Sequence, residues 1–150
     1  MSVSPKEQQE SQEASYLHVV IVTGDRSVYD GIAERVIAPA VQGPVTILVH
    51  HAPYLTTLEP GELAVGLEGG ERQSYAIGGG FMEVSDDRVT VLADSAERAE
   101  EINVAEAEAA RRRAQALMKR YRGQEEYGTY YQALRRSRAR LKVARKMRRR

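Results

Sequence analysis

The chain has no cysteine in its 150 residues, which excludes a disulfide framework and any cysteine-based zinc site and fits a reducing compartment. It also lacks long apolar runs: no segment approaches the ~20 consecutive apolar residues of a membrane-spanning helix. The opening stretch MSVSPKEQQESQEAS has no apolar h-region. It is not read as a secretory signal but as a solvated, disordered extension over residues 1–15. Glu7, Glu10 and Glu13 argue against a transit peptide, so a bacterial origin is the default expectation. Histidine is scarce. His50 and His51 are adjacent, and neighbours on a strand point to opposite faces. His18 is the one other histidine, so the three or four converging ligands of a zinc site are missing. No Ser/His/Asp or Cys/His arrangement has a recognisable local context. These absences leave nothing that argues for catalysis, and no cofactor or metal site is expected.

Acidic residues are almost missing from one end. Residues 111–150 hold 16 Lys/Arg against Glu125 and Glu126, a surplus of 14 positive charges. Residues 1–110 hold 6 basic and 19 acidic residues, a surplus of 13 negative charges. Such a tail is expected to meet something acidic: nucleic acid, an anionic lipid surface, an acidic protein, or the chain's own N-terminal domain. Nucleic-acid tails carry glycine or aromatic residues for stacking, or a known module. This tail is instead a patterned helix with an apolar stripe, which favours a protein partner. A basic-tailed nucleic-acid-binding β-domain protein is the alternative reading.

What is present is a series of short strands. Tyr75–Ala96 contains two apolar runs, Gly80–Val84 and Val89–Ala93, joined by Ser85-Asp86-Asp87-Arg88, a β-hairpin signal. Upstream, Leu17–Val22, Val28-Tyr29, Ala33–Ala38, Val45–Val49, Tyr54–Leu58, Leu63–Leu67 and Arg72–Ile77 read as strands. Turns are expected at Thr23–Arg26, Asp30-Gly31, Pro39–Pro44, Pro60-Gly61 and Gly69-Gly70. Gly78-Gly79-Gly80 is followed by a strand, with no Lys-Ser/Thr, so these glycines are assigned to a bulge or tight turn rather than a phosphate loop. Eight or nine short strands predict an antiparallel sandwich or barrel over residues 16–102. Glu97–Ile102 reads either as a first helical turn or as one more edge strand.

From there the chain turns helical. Asn103 is a good N-cap, and Glu106 completes an Asn-x-x-Glu box. Ala107, Ala110, Ala114, Leu117 and Tyr121 form a narrow stripe. Gly123 and Gly128 bracket a loop, and a second helix from about Thr129 places Tyr130, Leu134, Ser137, Leu141 and Ala144 on one face. Residues 103–150 therefore predict an αα-hairpin. Its seam is mostly alanine, which removes little apolar area from water, and the second helix carries cations that repel one another. Composition alone predicts a mobile element.

In order, VIVTGDRSVYDG, GPVTILVHHAPYLTTLEPGELAV and YAIGGGFMEVSDDRVTVLADSAERAEEI, then two Ala/Arg-rich helices, resemble the epsilon subunits of F-type ATP synthases from about Leu17 to Arg150. The distinctive motifs are Ile47-Leu48-x-x-His51-Ala52-Pro53, Leu58-x-Pro60-Gly61 and Gly79-Gly80-Phe81-x-Glu83-Val84. Arg136-x-x-x-Arg140-Leu141-x-x-Ala144 adds support. The resemblance implies an α+β fold: a flattened antiparallel β-sandwich of about ten strands, followed by a two-helix hairpin. It implies a non-catalytic central-stalk subunit whose β domain packs on gamma and touches the polar loops of the c-ring. The helical domain would fold against the sandwich or extend along gamma into the alpha/beta catalytic head, restraining ATP hydrolysis. By the same resemblance Gln42, Gly43, Pro44, Val45, Thr46 and His51 face the c-ring and gamma side. Arg135, Arg136, Arg138, Arg140, Lys142, Arg145 and Lys146 would meet an acidic segment of the head. The implied location is the cytoplasmic face of the bacterial plasma membrane, as a peripheral protein.

Three places depart from the family pattern. Gly43-Pro44-Val45-Thr46-Ile47-Leu48 lacks the family's Glu, and Thr23-Gly24 replaces Thr-Pro. Some members bind ATP through Ile/Leu-Asp-x-x-Arg-Ala, which here becomes Ile102, Asn103, Glu106 and Ala107. A carboxylate is lost at Asn103 and a cation becomes an anion at Glu106, so little or no ATP binding is expected.

Overall fold

The computed structural model describes residues 15–148; apart from Ser15, the extension expected over residues 1–15 lies outside them. Strict alternation creates the strands. Leu17–Val22 (β1) buries Leu17, Val19 and Ile21 while the residues between stay half-exposed, the signature of a strand with one covered face. The same period runs through Arg35–Ala40 (β3) and Arg88–Ala93 (β7). Ser27–Ala33 (β2), Gly43–Leu48 (β4), Tyr54–Gly66 (β5), Arg72–Ser85 (β6) and Ala96–Arg98 (β8) complete the set.

The strand order is β2-β1-β7-β6-β5-β3-β4, with β8 paired to β6. β5 and β6, of 13 and 14 residues, run through both layers of the sandwich. Tyr54–Leu58 opposite Gly80–Val84 leads to β7 and β1, whereas Ala64–Gly66 pairs with β3 and Tyr75–Ile77 with β8. The crease between the two halves sets Pro60 against Gly78 and Leu58 against Gly80. Gly80 has φ +146°, and a Cβ there would collide with the Leu92 carbonyl oxygen, so the bend requires glycine. Leu17, Val19, Ile21, Val36, Ile47, Leu63, Val65, Met82, Val84, Val89 and Val91 from both layers fill one core. At ~1.5–3 kcal/mol per buried aliphatic side chain, this core carries the stability of the domain.

The sandwich has eight strands among the described residues, not about ten, and it is not wholly antiparallel. β1 pairs with β7 in parallel, His18 opposite Arg88 through Val22 opposite Leu92. The chain makes β1 and β2, crosses to the other layer, and returns through β5 and β6 before β7 is laid beside β1. A long excursion can end in either direction, whereas a hairpin cannot. Asp30-Gly31 is not a turn: it stays inside β2, where Asp30 pairs with Val20 across the ladder and receives His18 at 2.7 Å. Pro60-Gly61 likewise lies within β5. Pro39 and Pro44 face each other on β3 and β4, leaving Val41-Gln42 as the turn. The Asp86-Asp87 turn is as expected, with φ +50° and +59°, conformations that aspartate tolerates better than most residues. Glu97–Ile102 divides into the end of β8 and a 3₁₀ turn at Ala99–Glu101.

Two helices follow: α1, Val104–Arg120, and α2, Tyr127–Arg148, the second beginning two residues before the expected Thr129. The Asn103 side chain accepts from the Glu106 N–H at 3.0 Å, which satisfies one of the donors left open at a helix start. α2 lies against β5 and β6, over the small residues Ala76 and Gly78.

Candidate functional site

The docked face of α2 is built from small apolar residues and long cations. Leu134, Ser137, Leu141 and Ala144 are buried as the stripe predicted, and Ala139 and Val143 are buried as well. Ser137 would be a buried polar orphan, but its hydroxyl donates to the Leu134 carbonyl at 2.8 Å. At the hairpin tip the rings of Tyr121 and Tyr130 pack with centroids 5.3 Å apart. The apolar seam to the sandwich is short: Val143 and Ala144 meet Ala76, Ala99 and Ile102, with Val104 and Met147 at its border. Sequence reading missed Val143. An apolar residue four positions from Ala139 was the available signal, obscured by the arginines around it.

Around that seam the cations find carboxylates. Arg135 reaches Glu59 at 2.8 Å. Arg140 reaches Glu97 at 2.7 Å and Glu106 at 3.0 Å. Arg145 meets Glu108 at 2.9 Å, and Lys146 meets Glu62 at 2.8 Å beside Arg72 at 3.2 Å. Of the seven basic residues singled out on α2, these four are neutralised within the chain. Arg136, Arg138 and Lys142 make no ion pair among the described residues. The acidic partner expected for the basic tail is, in this conformation, the chain's own sandwich together with α1.

These pairs shift proton affinities in consistent directions. Burial works against the Glu62 carboxylate, but the Lys146 hydrogen bond and the Lys146 and Arg72 charges outweigh it and hold its carboxyl below the ordinary range. Burial also works against the Arg140 cation, yet its bonds to Glu106 and Glu97 raise its proton affinity. The Arg140 hydrogen bond lowers the Glu106 carboxyl, and the Arg111 bond lowers that of Glu108.

Between the hairpin and the sheet lies a cavity of about 630 Å³ whose lining includes Gly78, Glu97, Glu106, Arg113, Arg136 and Arg140. Arg136 packs over Gly78, where a Cβ would come within 2.8 Å of its Cδ. The two departures from the family's ATP motif both have structural work here: Asn103 caps α1, and Glu106 holds Arg140 at the cavity wall.

The other predicted cluster is divided by the fold. Gln42 lies in the β3–β4 turn, and Gly43, Pro44, Val45 and Thr46 open β4, with Gln42, Pro44 and Thr46 exposed. His51 follows the far end of β4, about 17 Å of extended strand away. Its ring stacks at a tilt on Tyr54, 5.9 Å between centroids, and Nδ1 contacts the Ala52 carbonyl at 2.7 Å. The structure therefore groups Gln42 to Thr46 but does not bring His51 to them.

A further surface went unread in the sequence. Leu55, Phe81 and Leu92 stand 73%, 54% and 51% exposed on the outward side of β5, β6 and β7. Phe81 is paired with Leu92 on one side and Thr57 on the other, and Leu92 with Val22, so the row is apolar across β6, β7 and β1, while Leu55, paired with Glu83, lies diagonal to Phe81 on β5. Contiguous exposed apolar patches mark interaction sites. The signal was in the alternation: Met82 and Val84 point inward, so Phe81 must point out.

No helix among the described residues is long and apolar enough to cross a membrane. Family models of the ATP synthase delta/epsilon chain match this chain twice, the β-sandwich domain over residues 16–99 and the long α-helix domain over residues 100–145. The ATP synthase epsilon chain of Dehalococcoides mccartyi is 47% identical over 133 residues, covering 88% of this chain and 94% of that one. That of Herpetosiphon aurantiacus is 46% identical over 128 residues, covering 85% and 93%. In three dimensions a chain of the Euglena gracilis mitochondrial ATP synthase superposes with a TM-score of 0.75 at 24% identity, over 87% of this chain and 81% of that one, which shares the fold. Matched in both domains and over most of its length, the chain belongs to the ATP synthase epsilon family.

Proposed function

We propose that this chain is a non-catalytic rotor subunit of a proton-translocating F-type ATP synthase, coupling c-ring rotation to the alpha/beta head through gamma, with a helical hairpin that regulates ATP hydrolysis. The observation that carries the reading is the division of labour between its two outward faces. One is a bare apolar row suited to a permanent neighbour, and the other is covered by a basic helix held largely by ion pairs. Phe81, Leu92 and Leu55 are assigned to gamma, and Gln42 to Thr46, with their exposed polar turn, to the c-ring. Without a Glu in that turn, the c-ring contact relies on backbone and on Gln42 and Thr46. Residues 16–102 act as the anchor and 103–150 as the moving part. Arg135, Arg136, Arg138, Arg140, Lys142, Arg145 and Lys146 are assigned to the acidic segment of the head once α2 leaves the sheet. The protein is assigned a peripheral position at the membrane as part of that complex, on the cytoplasmic face in a bacterium. A nucleic-acid role has no support, since both domains match ATP synthase delta/epsilon models.

The test is ATP hydrolysis by the cognate soluble head, with the full chain or with a chain ended after Ile102. Inhibition by the full chain, together with binding but no inhibition by the shortened one, is the expected result. If both bind and neither inhibits, the hairpin is a brace and the regulatory half of the reading falls. If neither binds, the rotor assignment falls.

A further inference from the structure

The hairpin's hold on the sandwich is uneven. Its apolar seam is confined to the start of α1 and the end of α2, where Val143, Ala144 and Met147 meet Ala76, Ala99 and Ile102. Toward the hairpin tip the 630 Å³ cavity lies between helices and sheet, and the apolar cluster of the seam does not extend into it. Charge bridges this part: Arg135 reaches Glu59 of β5, and Arg140 reaches Glu97 of β8. Arg140 is 16% exposed and contacts Glu97 of β8 and Glu106 of α1 from its own place on α2. Among the described residues Arg140 is the one α2 cation paired with carboxylates on two other elements, and its planar fork suits both at once. The connection from sandwich to hairpin is a short 3₁₀ turn and the extended pair Ile102-Asn103, which offers little resistance to swinging.

We infer that Glu97–Arg140–Glu106 is the ionic latch that sets the balance between docked and released hairpin, and that it also keeps the basic strip of α2 incomplete while docked. The inference deepens the regulatory reading above and rests on it for its consequence in the enzyme, though not for the latch itself. Because Arg140 is engaged in the docked state, release of the hairpin and completion of the cationic strip are one event. Glu106 is 63% exposed and borders the cavity, so dissolved ions reach the triad and screen it. The latch therefore weakens with ionic strength, unlike the apolar seam beside it.

The test leaves every α2 cation in place and alters only the carboxylates. Since the chain has no native cysteine, Asp94→Cys and Gln132→Cys, both exposed and next to Ser95 and Ala133 of the cavity wall, admit a pair of spin labels on the full chain, one on the sandwich and one on α2. The docked, short-distance population should dominate at low salt and decline as salt is raised. Glu97→Gln with Glu106→Gln should raise the released population about tenfold, equivalent to ~1.4 kcal/mol, and should reduce the salt response to the part left by Arg135–Glu59 and Lys146–Glu62. Glu106→Asp, which keeps the charge, should restore most of the docking. Circular dichroism should report equal helix content in all variants, so that release is separated from unfolding. Unchanged distances in the Gln variant, or a salt response as large as that of the native chain, would overturn the latch. With the soluble head, the Gln variant should inhibit hydrolysis more strongly than the native chain. Release without stronger inhibition would uphold the latch and sink the inhibitory reading of α2.

Discussion

Replacing Val143 with alanine separates the stability of the hairpin's docking from that of the sandwich. Val143 is fully buried and sits in the seam with Ala76, Ala99 and Ile102, apart from the sandwich core. The substitution removes two methyl groups from a dry site, about 1.6 kcal/mol at ~0.8 kcal/mol per carbon. The small void left behind adds up to ~1 kcal/mol if α2 cannot settle onto Ala76. The docking equilibrium should therefore shift by roughly 15- to 70-fold toward release, at ~1.4 kcal/mol per tenfold. Native-state hydrogen exchange followed by mass spectrometry reads this directly. Amides in α2 and at the start of α1 should lose protection by that factor, while those of β1, β6 and β7 should keep theirs. Unlike the Glu97/Glu106 effect, this loss should be the same at low and high salt. Equal loss of protection in β1 and β7 would refute the reasoning, because it would make hairpin and sandwich one cooperative unit.

Three further outcomes follow from the same geometry. The Glu62 carboxyl titrates below its ordinary 4.5 in the docked state, so its contribution is complete above that value and disappears as pH falls through the lowered one. α2 protection should thus be lost in acid below about pH 4.5 before that of the sandwich; Glu62→Gln should weaken docking at pH 7 and remove part of this dependence, with Glu106 and Glu108 supplying the rest. Phe81→Asp with Leu92→Asp should reduce affinity for gamma at least ~30-fold, as loss of an interface anchor does, and change the sandwich's stability by less than ~1 kcal/mol since both side chains face solvent; gamma pull-down and thermal melting check the two halves. Calorimetric titration with ATP should show no micromolar site, because Glu106 places an anion in the cavity and already engages Arg140; micromolar heat would contradict it.

Local rules in the sequence located what local rules control. Asn103 caps α1 because its side chain needs to reach only three residues on, and the Asp86-Asp87 turn formed because two flanking strands demanded it. Pro60-Gly61 and Asp30-Gly31 misled for the converse reason: both are turn pairs in isolation, yet pairing partners 10 or more residues away keep them inside strands. In the sandwich the stretch Leu58–Pro60 facing three glycines produces a crease instead of a reversal. The ion pairs lay further out of reach. Arg135 and Glu59 are 76 residues apart, Lys146 and Glu62 84, and the sequence could state only that a positive tail wanted a negative surface. Which of four surfaces it met was decided by folding: Glu59 and Glu62 on β5 and Glu97 on β8 lie on strands adjoining the same stretch of β6. Phe81 and Leu92 were named as strand residues without their direction being followed, although alternation from Met82 and Val91 gives it.

The parallel pairing of β1 with β7 governs the order in which the molecule can assemble. His18 waits for Arg88, 70 positions later. At ~5–20 residues per second of synthesis, the first hairpin, complete at Ala33, exists for about 3–11 seconds before Arg88 opens its partner strand. During that interval Leu17, Val19 and Ile21 have β2 beside them and no opposing layer. Contacts this distant in sequence are slow to form because loop closure precedes any gain from them. The first strands to be made are thus among the last to be enclosed, and the β-domain closes as a single late event once Ala93 has left the ribosome.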